Sequence, residues 1–509
     1  MLQHHFIRSA RRHKNKIAFI DAASKRQITY GQALIAALIL ARRFRRLERG
    51  RIGIMLPTSS GAALAVIGAT MAGLTPVMIN YSTGAAKNCR YAREQCDFTT
   101  IITARALLDK TGCSLQPGML LLEELMPRLG RLEKLLALLK SWLPLPWLLR
   151  LSGKVNPDAS AVILFTSGSE KDPKVVQLSQ RNILSNIESF SDMMEISTLD
   201  NLLGILPYFH VFGLTINLWT PLYHGMTAIT HANPLEFKTV AGIIKKYRPQ
   251  IVVGTPFFLE GYLKQSSPGD FSSVILAVSG ADKCPEGLRS AYREKHGIEL
   301  IEGYGATETS PVISANPRHA NRPGSIGKPI PGTEVKIVNY DSGEECAAGE
   351  SGKILVRGDG VMSGYLNDIE ESSMRLKNGW YDTGDLGYLD ADGYLWHQGR
   401  LKRFVKIGGE MVSLVNVEET LNAHTPEHVE CCAVELPDAR RGSRIVAVVT
   451  SDVDEQEVLK RLAKELPNLA LPKQFVTIPE FPRMGSGKTD FRSLTKIVGK
   501  QLRDLSDPR

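Results

Sequence analysis

Cysteine is scarce and scattered in this chain. Seven occur among 509 residues, none in a C-x-x-C spacing, and Cys431-Cys432 is the one close pair. Adjacent cysteines rarely form a structural bridge, so no disulfide framework is indicated. With no secretory signal and cleavage site in view, the expectation is a cytoplasmic protein with reduced thiols. Internal repeats and low-complexity tracts are also missing. A composition of 43% hydrophobic and 23% charged residues is that of a globular protein rather than a disordered one. The length exceeds what one core usually serves, so at least two domains are expected. Charge is absent from the whole of Ile52 to Ala86. That is long enough to suggest a membrane span, but Pro57 and Gly73 punctuate it. Two short strands around a small-residue helix, Ser60 to Ala72, fit better: a buried β-α-β unit.

Acidic residues are nearly missing from one end. Residues 1–51 carry 13 Lys and Arg against 2 Asp and Glu, whereas the rest of the chain carries 49 against 51. The basic stripe, Arg8 to Lys16 and Arg42 to Arg51, suits an anionic membrane, a nucleic acid or an acidic protein, or is a solvated helix face. A single aromatic, Phe6, precedes Phe19, and base stacking needs more, which argues against nucleic acid.

Residues 28–47 carry a helical period. Beyond the β-α-β unit, strands are expected at 99–103, 161–165, 202–206, 227–230, 251–254, 274–278 and 298–301, alternating with helices such as Asn182 to Met194 and Leu235 to Tyr247. That alternation predicts α/β layers with a largely parallel sheet. From about 324 to 399 short strands with Gly and Asp turns predict a β-rich subdomain. A last segment of roughly a hundred residues has the size of a small domain. Residues 119–151 stand apart. Leu132, Leu135, Leu136, Leu139 and Leu143 share a helical face, and Trp142 and Trp147 follow. Such a segment either lies on a membrane surface or packs on the domain's own core.

The chain lacks the G-x-x-x-x-G-K-[ST] spacing of common P-loop NTPases. What it has is an apolar strand running into Thr166-Ser167-Gly168-Ser169-Glu170-Lys171-Asp172-Pro173-Lys174. Hydroxyls, backbone N–H groups and a closing lysine form a cradle for polyphosphate. Five further stretches follow in order: Pro207 to Gly213 (PYFHVFG), Glu302 to Thr309 (EGYGATET), Trp380 to Asp385 (WYDTGD), Gly399 to Glu410 (GRLKRFVKIGGE) and Met484 to Lys488 (MGSGK). Together these resemble the adenylate-forming acyl ligases, the AMP-binding superfamily. Leu164–Glu170, Gln398–Leu414 and Gly485–Phe491 are similar to the synthetase part of bacterial acyl-ACP synthetase/2-acylglycerophosphoethanolamine acyltransferase enzymes. The H-x-x-x-x-D pair of such acyltransferases is absent, since no histidine here has Asp five positions later.

The resemblance implies a large α/β domain, 1–399, with the β-rich subdomain at about 324–399. It further implies a hinge at 400–402 with Lys402 at its centre, and a small mobile α+β domain, 403–509. It implies ATP and Mg²⁺, a fatty acid, and the thiol of acyl carrier protein, with CoA as the rival acceptor; membrane contact on the inner face would suit the substrate. Thr166, Ser167, Gly168, Ser169 and Lys174 would hold the β and γ phosphates. Thr307 would meet the α-phosphate, Glu308 the Mg²⁺, and Lys488 the α-phosphate during adenylation. Gly280, Ala281, Gly303, Tyr304 and Gly305 would line the adenine, and Asp385 and Arg400 the ribose. His210 would stand beside the acyl carbon. Phe212, Gly213, Gly254, Thr255 and Phe257 are expected along the acyl channel, and Gly408 and Gly409 along the pantetheine path. Related loops run T-S-G-[ST]-T-G-x-P-K; here Glu170-Lys171-Asp172 replaces Thr-Gly-x, and Val175-Val176 replaces Gly-Val. For an acidic carrier protein the candidate docking patches are Arg440-Arg441 with Arg444, and Arg403 with Lys406, the second favoured; the alternative is that Arg403 and Lys406 only pair with nearby carboxylates on the small domain.

Overall fold

The computed structural model describes residues 1–125, 130–153, 156–166, 173–407, 410–426, 428–438, 442–485 and 487–506. For Lys402, Lys406, Glu410, Met411 and 503–506 it describes the backbone alone. The described chain forms two compact units. Residues 173–335 and 356–381 belong with the N-terminal residues, while 336–355 belong with 382 onward.

The first unit is built on two sheets. In the six-stranded sheet, Met119–Leu121, Ile101–Thr103, Arg51–Ile54, Thr75–Met78, Ser160–Phe165 and Val175–Ser179 lie side by side in that order. Arg51–Ile54 and Thr75–Met78 are parallel, and the uncharged stretch between them is the helix Ser60–Met71, capped by the Ser59 hydroxyl on Ala62 N–H. This helix is apolar all round and buried along its whole length, so it sits inside the unit and not on its face. It lies against the helix Tyr30–Leu47; a methyl group on Gly68 would come within 2.7 Å of Leu40 Cβ.

The second, nine-stranded sheet begins Lys328–Pro329, Val312–Ala315, Leu300–Gly305, Leu276–Gly280, Ile251–Gly254, Asn201–Gly204. It continues through Thr227–Thr230 and Ile17–Asp21 to Arg26–Thr29. Its central pairs are parallel, as buried strands joined by crossover helices must be. The α/β expectation holds. Sequence-based strand limits of 274–278 and 298–301 move to Leu276–Gly280 and Leu300–Gly305, because the glycines at their ends continue the ladder: Gly280 pairs with Gly303. Strands at Thr333–Val338, Gly352–Gly358, Trp380–Leu389 and Leu395–Arg400 supply the expected β-rich stretch.

The smaller unit includes a three-stranded sheet, Cys431–Asp438, Gly442–Val449 and Gln474–Thr477. Alternation along Cys431–Asp438 sends Ala433 into one core, with Val417, Leu421 and Leu462. Cys432 and Val434 go into another, with Leu494 and Val498 of the helix Phe491–Ser506. A hairpin, Phe404–Ile407 with Glu410–Ser413, leads into this unit's first helix, Leu414–His424. None of the seven cysteines is bridged.

Candidate active site

Four neighbouring strands of the nine-stranded sheet deliver site candidates at their carboxyl ends, where open α/β sheets bind ligands. Leu300–Gly305 ends in Gly303-Tyr304-Gly305. Leu276–Gly280 ends in Gly280 and leads to Ala281, Ile251–Gly254 ends in Gly254, and Asn201–Gly204 leads to Pro207–Gly213. The structure therefore gathers Gly280, Ala281, Gly303, Tyr304, Gly305, His210, Phe212, Gly213, Gly254 and Thr255 along one edge of this unit.

The glycines have steric reasons. A Cβ on Gly305 would fall 1.9 Å from the Pro311 carbonyl oxygen, and one on Gly213 2.2 Å from that of Pro207. Gly280 faces the Phe212 ring, whose nearest carbons lie 3.4 Å from where its Cβ would stand. Ala281 takes a left-handed φ of 72°, a conformation that costs a non-glycine residue energy and that clusters at functional sites. His210 stands beside Phe209, ring centroids 4.5 Å apart, and its carbonyl accepts the Leu214 N–H at 2.9 Å. Thr255 uses its hydroxyl to cap the helix Pro256–Gln265, and the Phe257 ring meets Phe237 at 5.6 Å.

Glu308 is buried at 8% exposure on the short 3₁₀ turn Thr307–Thr309, with Thr307 half-buried beside it. The Tyr365 hydroxyl donates to Glu308 Oε1 at 2.8 Å, and Met362 N–H donates to its carbonyl at 2.8 Å. Burial, then the Glu308 charge, holds the Tyr365 phenol well above its ordinary pKa, so it stays a donor. The turn is fixed from behind by Asn186, whose amide donates to the carbonyls of Val312 at 2.7 Å and Thr309 at 3.2 Å. A single anchored carboxylate suits Mg²⁺, which takes one or two carboxylates and leaves the remaining positions to phosphate and water. Among the described residues no cluster of three His, Cys, Asp or Glu offers a protein-only metal cage.

The segment expected to bind phosphate is flanked by two antiparallel strands, Ser160–Phe165 and Val175–Ser179. Its base is closed by reciprocal hydrogen bonds, Thr166 N–H to the Lys174 carbonyl at 3.0 Å and Lys174 N–H to the Thr166 hydroxyl at 3.0 Å. Ser167, Gly168, Ser169 and the divergent Glu170-Lys171-Asp172 lie outside the described residues. Lys174 lies over the face of Tyr365. Its Nζ sits 4.9 Å from the centroid of the Tyr365 ring, whose hydroxyl holds Glu308. The same ammonium is ion-paired to Glu371, which also accepts from Arg375 Nε at 3.1 Å. Burial pushes the Glu371 carboxyl up, but the bonds from Lys174 and Arg375 leave it below the usual range. Tyr365, Glu371 and Asn186 went unnoticed in the sequence, where nothing marks them as partners of residues 57, 197 and 126 positions away.

Behind the glycine edge lies a buried ion pair. Arg289 Nη1 meets Glu302 Oε2 at 2.7 Å, with side chains 8% and 4% exposed, and Glu302 Oε1 accepts Cys284 N–H at 3.0 Å. Burial outweighs these donors and pushes the Glu302 carboxyl above its usual range.

In the smaller unit, Asp385 and Arg400 are direct partners on antiparallel strands. Asp385 is 6% exposed, and Arg400 Nε lies 3.5 Å from its Oδ1. The two ribose candidates are thus neighbours. Lys488 closes a tight turn in which its carbonyl accepts Met484 N–H at 2.8 Å and Arg483 Nη1 donates to the Gly487 carbonyl at 3.1 Å. The Lys402 and Lys406 side chains, Gly408, Gly409 and Arg440-Arg441 lie outside the description. The Arg403 docking patch is corrected. That guanidinium is ion-paired to Glu418 at 2.5 Å and stacked 3.9 Å over the Phe491 ring, and its side chain is only 16% exposed. It is a packing group of the smaller unit.

Known proteins are similar to this chain over most of its length. An indoleacetate–CoA ligase of Aromatoleum aromaticum is 33% identical over 71% of this chain and 73% of its own. A long-chain-fatty-acid–CoA ligase of Bacillus subtilis is 34% identical over 66% of this chain and 61% of its own. Among solved structures, ATP-bound MatB from Rhodopseudomonas palustris superposes with a TM-score of 0.84 at 24% identity, covering 100% of both chains. MenE from Bacillus subtilis, in complex with ATP and magnesium ion, gives 0.82 at 23% identity, covering 97% of this chain and 99% of its own; both likenesses concern the fold. Residues 6–366 match the family described as AMP-binding enzyme, and residues 416–488 match the AMP-binding enzyme C-terminal domain. The chain therefore belongs to the AMP-binding enzymes, ligases that use ATP and Mg²⁺ and work through an acyl adenylate.

Proposed function

We propose that the chain activates a long-chain fatty acid and passes it to the phosphopantetheine thiol of acyl carrier protein. In the first step a fatty carboxylate oxygen attacks the α-phosphorus of ATP, the bond to pyrophosphate breaks, and acyl-AMP forms. In the second the thiol, as thiolate, attacks the acyl carbon and AMP leaves with the electron pair. Both steps concentrate negative charge, so cations and N–H groups must be in position beforehand. The observation that supports this chemistry is the Lys174–Tyr365–Glu308 chain. One tyrosine touches both Lys174, assigned here to the phosphates, and the buried Glu308 carboxylate, assigned here to Mg²⁺. Mg²⁺, when bound, would neutralise phosphate charge as a Lewis acid.

The remaining roles follow the resemblance. Thr166, Ser167, Gly168 and Ser169 would bind phosphates with Lys174, and Thr307 would contact the α-phosphate. The glycine edge would admit adenine, Asp385 and Arg400 would hold the ribose, and His210 would gate the acyl carbon. Phe212, Gly213, Gly254, Thr255 and Phe257 would border the acyl chain. The small domain beyond the hinge at Lys402 would swing, bringing Lys488 in for adenylation and Gly408-Gly409 in for the thiol. Carrier protein as acceptor rests on Leu164–Glu170, Gln398–Leu414 and Gly485–Phe491. CoA is the second reading, favoured because the relatives named above are CoA ligases. Free thiols throughout suit a cytoplasmic enzyme working at the inner face of the membrane.

Acyl-thioester formation with CoA and holo-carrier protein in competition decides the acceptor; preference for CoA removes the carrier reading. Lys488→Ala should abolish fatty-acid-dependent pyrophosphate release yet leave transfer from supplied acyl-AMP largely intact. Unchanged pyrophosphate release would refute the role given to Lys488.

A further inference from the structure

Two sequence features that the chemistry leaves unused meet on the surface of the larger unit. The helix Arg131–Ser141 buries its small side, Ala137 and Ser141, against the protein. Its large apolar side faces outward: Leu132 is 69% exposed, Leu135 and Leu139 50% each, and Trp142 just beyond it 59%. Positions 132, 135, 139 and 142 follow the three-and-four spacing that makes one straight stripe. Trp147, on the next helix, Leu145–Leu151, is 60% exposed, whereas Leu148 beside it is fully buried. The basic N-terminal helix, Leu2–Arg12, reaches the end of this stripe. Arg11 Nη1 donates to the Ser141 carbonyl at 3.0 Å, and Lys14 Nζ lies 5.9 Å from the centre of the Trp142 ring.

We propose that this face, the Leu132–Leu135–Leu139 stripe with Trp142 and Trp147, rimmed by Arg131, Lys134, Lys140 and Lys14, is a docking surface for an anionic lipid bilayer. Contiguous exposed apolar groups of this size mark an interaction site rather than ordinary surface. The helix has 11 residues, about 16 Å of length, so it cannot cross a bilayer and would lie in the plane of the headgroups. Tryptophans at the end of an apolar stripe suit the headgroup boundary, where an apolar ring and a polar N–H are both satisfied. Lys and Arg at the rim can bury their stems along the stripe and keep their charges among lipid phosphates. The helix's one acid, Glu133, is taken up by Arg43, at 3.2 and 3.0 Å, so the outward charge is positive.

Charge argues for lipid over a second copy of this chain, since a two-fold contact would set each copy's cations against the other's. The proposal leans on the fatty-acid reading only for its purpose, because such a substrate dissolves in the bilayer the enzyme would sit on. Binding itself needs no substrate, so failure here and failure of that reading are separate results.

The test is co-sedimentation of the full chain with vesicles of phosphatidylcholine alone and of an equal mixture with phosphatidylglycerol. The native chain should pellet with the mixed vesicles. Leu135→Ser with Leu139→Ser and Trp147→Ser should lower binding at least about tenfold at unchanged melting temperature, each lost contact removing buried apolar area. Arg131→Gln with Lys134→Gln and Lys140→Gln should lower affinity for the anionic vesicles by about fivefold per cation and leave the neutral ones unaffected. Should the apolar variant unfold, brominated lipid provides the second readout: it should quench the native tryptophan fluorescence, and Trp142→Phe with Trp147→Phe should remove that quenching. A native chain that ignores anionic vesicles would overturn the proposal. So would an apolar variant that still pellets with them but has lost self-association or binding to a purified acidic carrier protein.

Discussion

Tyr365, between Lys174 and Glu308, provides the sharpest test of the proposed site. Tyr365→Phe keeps the ring, so packing and the approach of Lys174 at 4.9 Å survive; what is lost is the hydroxyl that donates to Glu308 Oε1 and accepts from the buried Tyr381 hydroxyl. Both residues are nearly buried, Tyr365 at 7% and Glu308 at 8% exposure, so water replaces the donor poorly. A hydrogen bond to a charged group contributes about 1.5–3 kcal/mol. If the loss falls on the placement of Glu308, about 2 kcal/mol corresponds to roughly a thirtyfold fall in the adenylation rate. The assay is fatty-acid-dependent ATP–pyrophosphate exchange across a Mg²⁺ titration, beside urea unfolding. The variant should need more Mg²⁺ for half-maximal exchange, and its larger unit should unfold at lower urea. Transfer from supplied acyl-AMP should be almost untouched, since that step has no β or γ phosphate to hold. An unchanged Mg²⁺ requirement with an unchanged rate would refute the bridging role. Equal loss in both half-reactions would make the tyrosine a packing residue.

Arg289→Met should destabilise the larger unit by about 3–5 kcal/mol, because it strands the Glu302 carboxylate in the core. Adding Glu302→Leu should recover most of that in a double-mutant cycle by denaturation, and a strictly additive cycle would mean the pair does not interact. The His5 imidazole, half-buried beside the Met1 amino group and Arg8 and stacked 4.3 Å from the Tyr223 ring, is pushed down from 6.5 to about 4, mainly by burial. The fold favours its neutral form, so that stabilisation is complete above pH 6.5 and declines as pH falls toward 4. His5→Phe should flatten the melting temperature over that window, leaving the smaller slope from His4 and His224, whose values are also lowered by burial; an unaltered slope would exclude His5 as its source. Arg403→Glu should lower the stability of the smaller unit by about 2–4 kcal/mol, since it sets a second acid beside Glu418. Carrier-protein kinetics per folded molecule should not change with salt any more than in the native enzyme; a selectively raised Michaelis constant would restore Arg403 as a docking residue.

Much of the scaffold was legible because local pattern decides it. The helix at 28–47 is found at Tyr30–Leu47, its start fixed by the Thr29–Gln32 capping box. The uncharged stretch is the β-α-β unit that its Pro and Gly punctuation implied. The site was legible only as motifs. Tyr365, Glu371 and Asn186 hold those motifs in place, and they do so across the fold, where no spacing rule reaches. Arg403 stayed undecided between docking and pairing because a basic residue beside Lys406 looks the same in sequence whether it faces solvent or, as here, a carboxylate and an aromatic ring. The 131–141 helix shows a third limit. Its period announced two faces, but large leucines ordinarily turn inward, and here Ala137 and Ser141 do so instead. Period gives the direction of a stripe and not what lies opposite it.

The clasp between Thr166 and Lys174 separates the flanking strands, Ser160–Phe165 and Val175–Ser179, from the residues between them. Thr166 and Lys174 tie the ends together through main-chain groups and one hydroxyl, so strand register does not depend on what lies between them. Closing a loop twice as long costs only about 0.6 kcal/mol more. Composition and even length at the tip can therefore drift at little cost to folding, provided the knot stays tied. The stretch Glu170-Lys171-Asp172, where the family resemblance leads one to expect Thr-Gly-x, lies between the two tied ends.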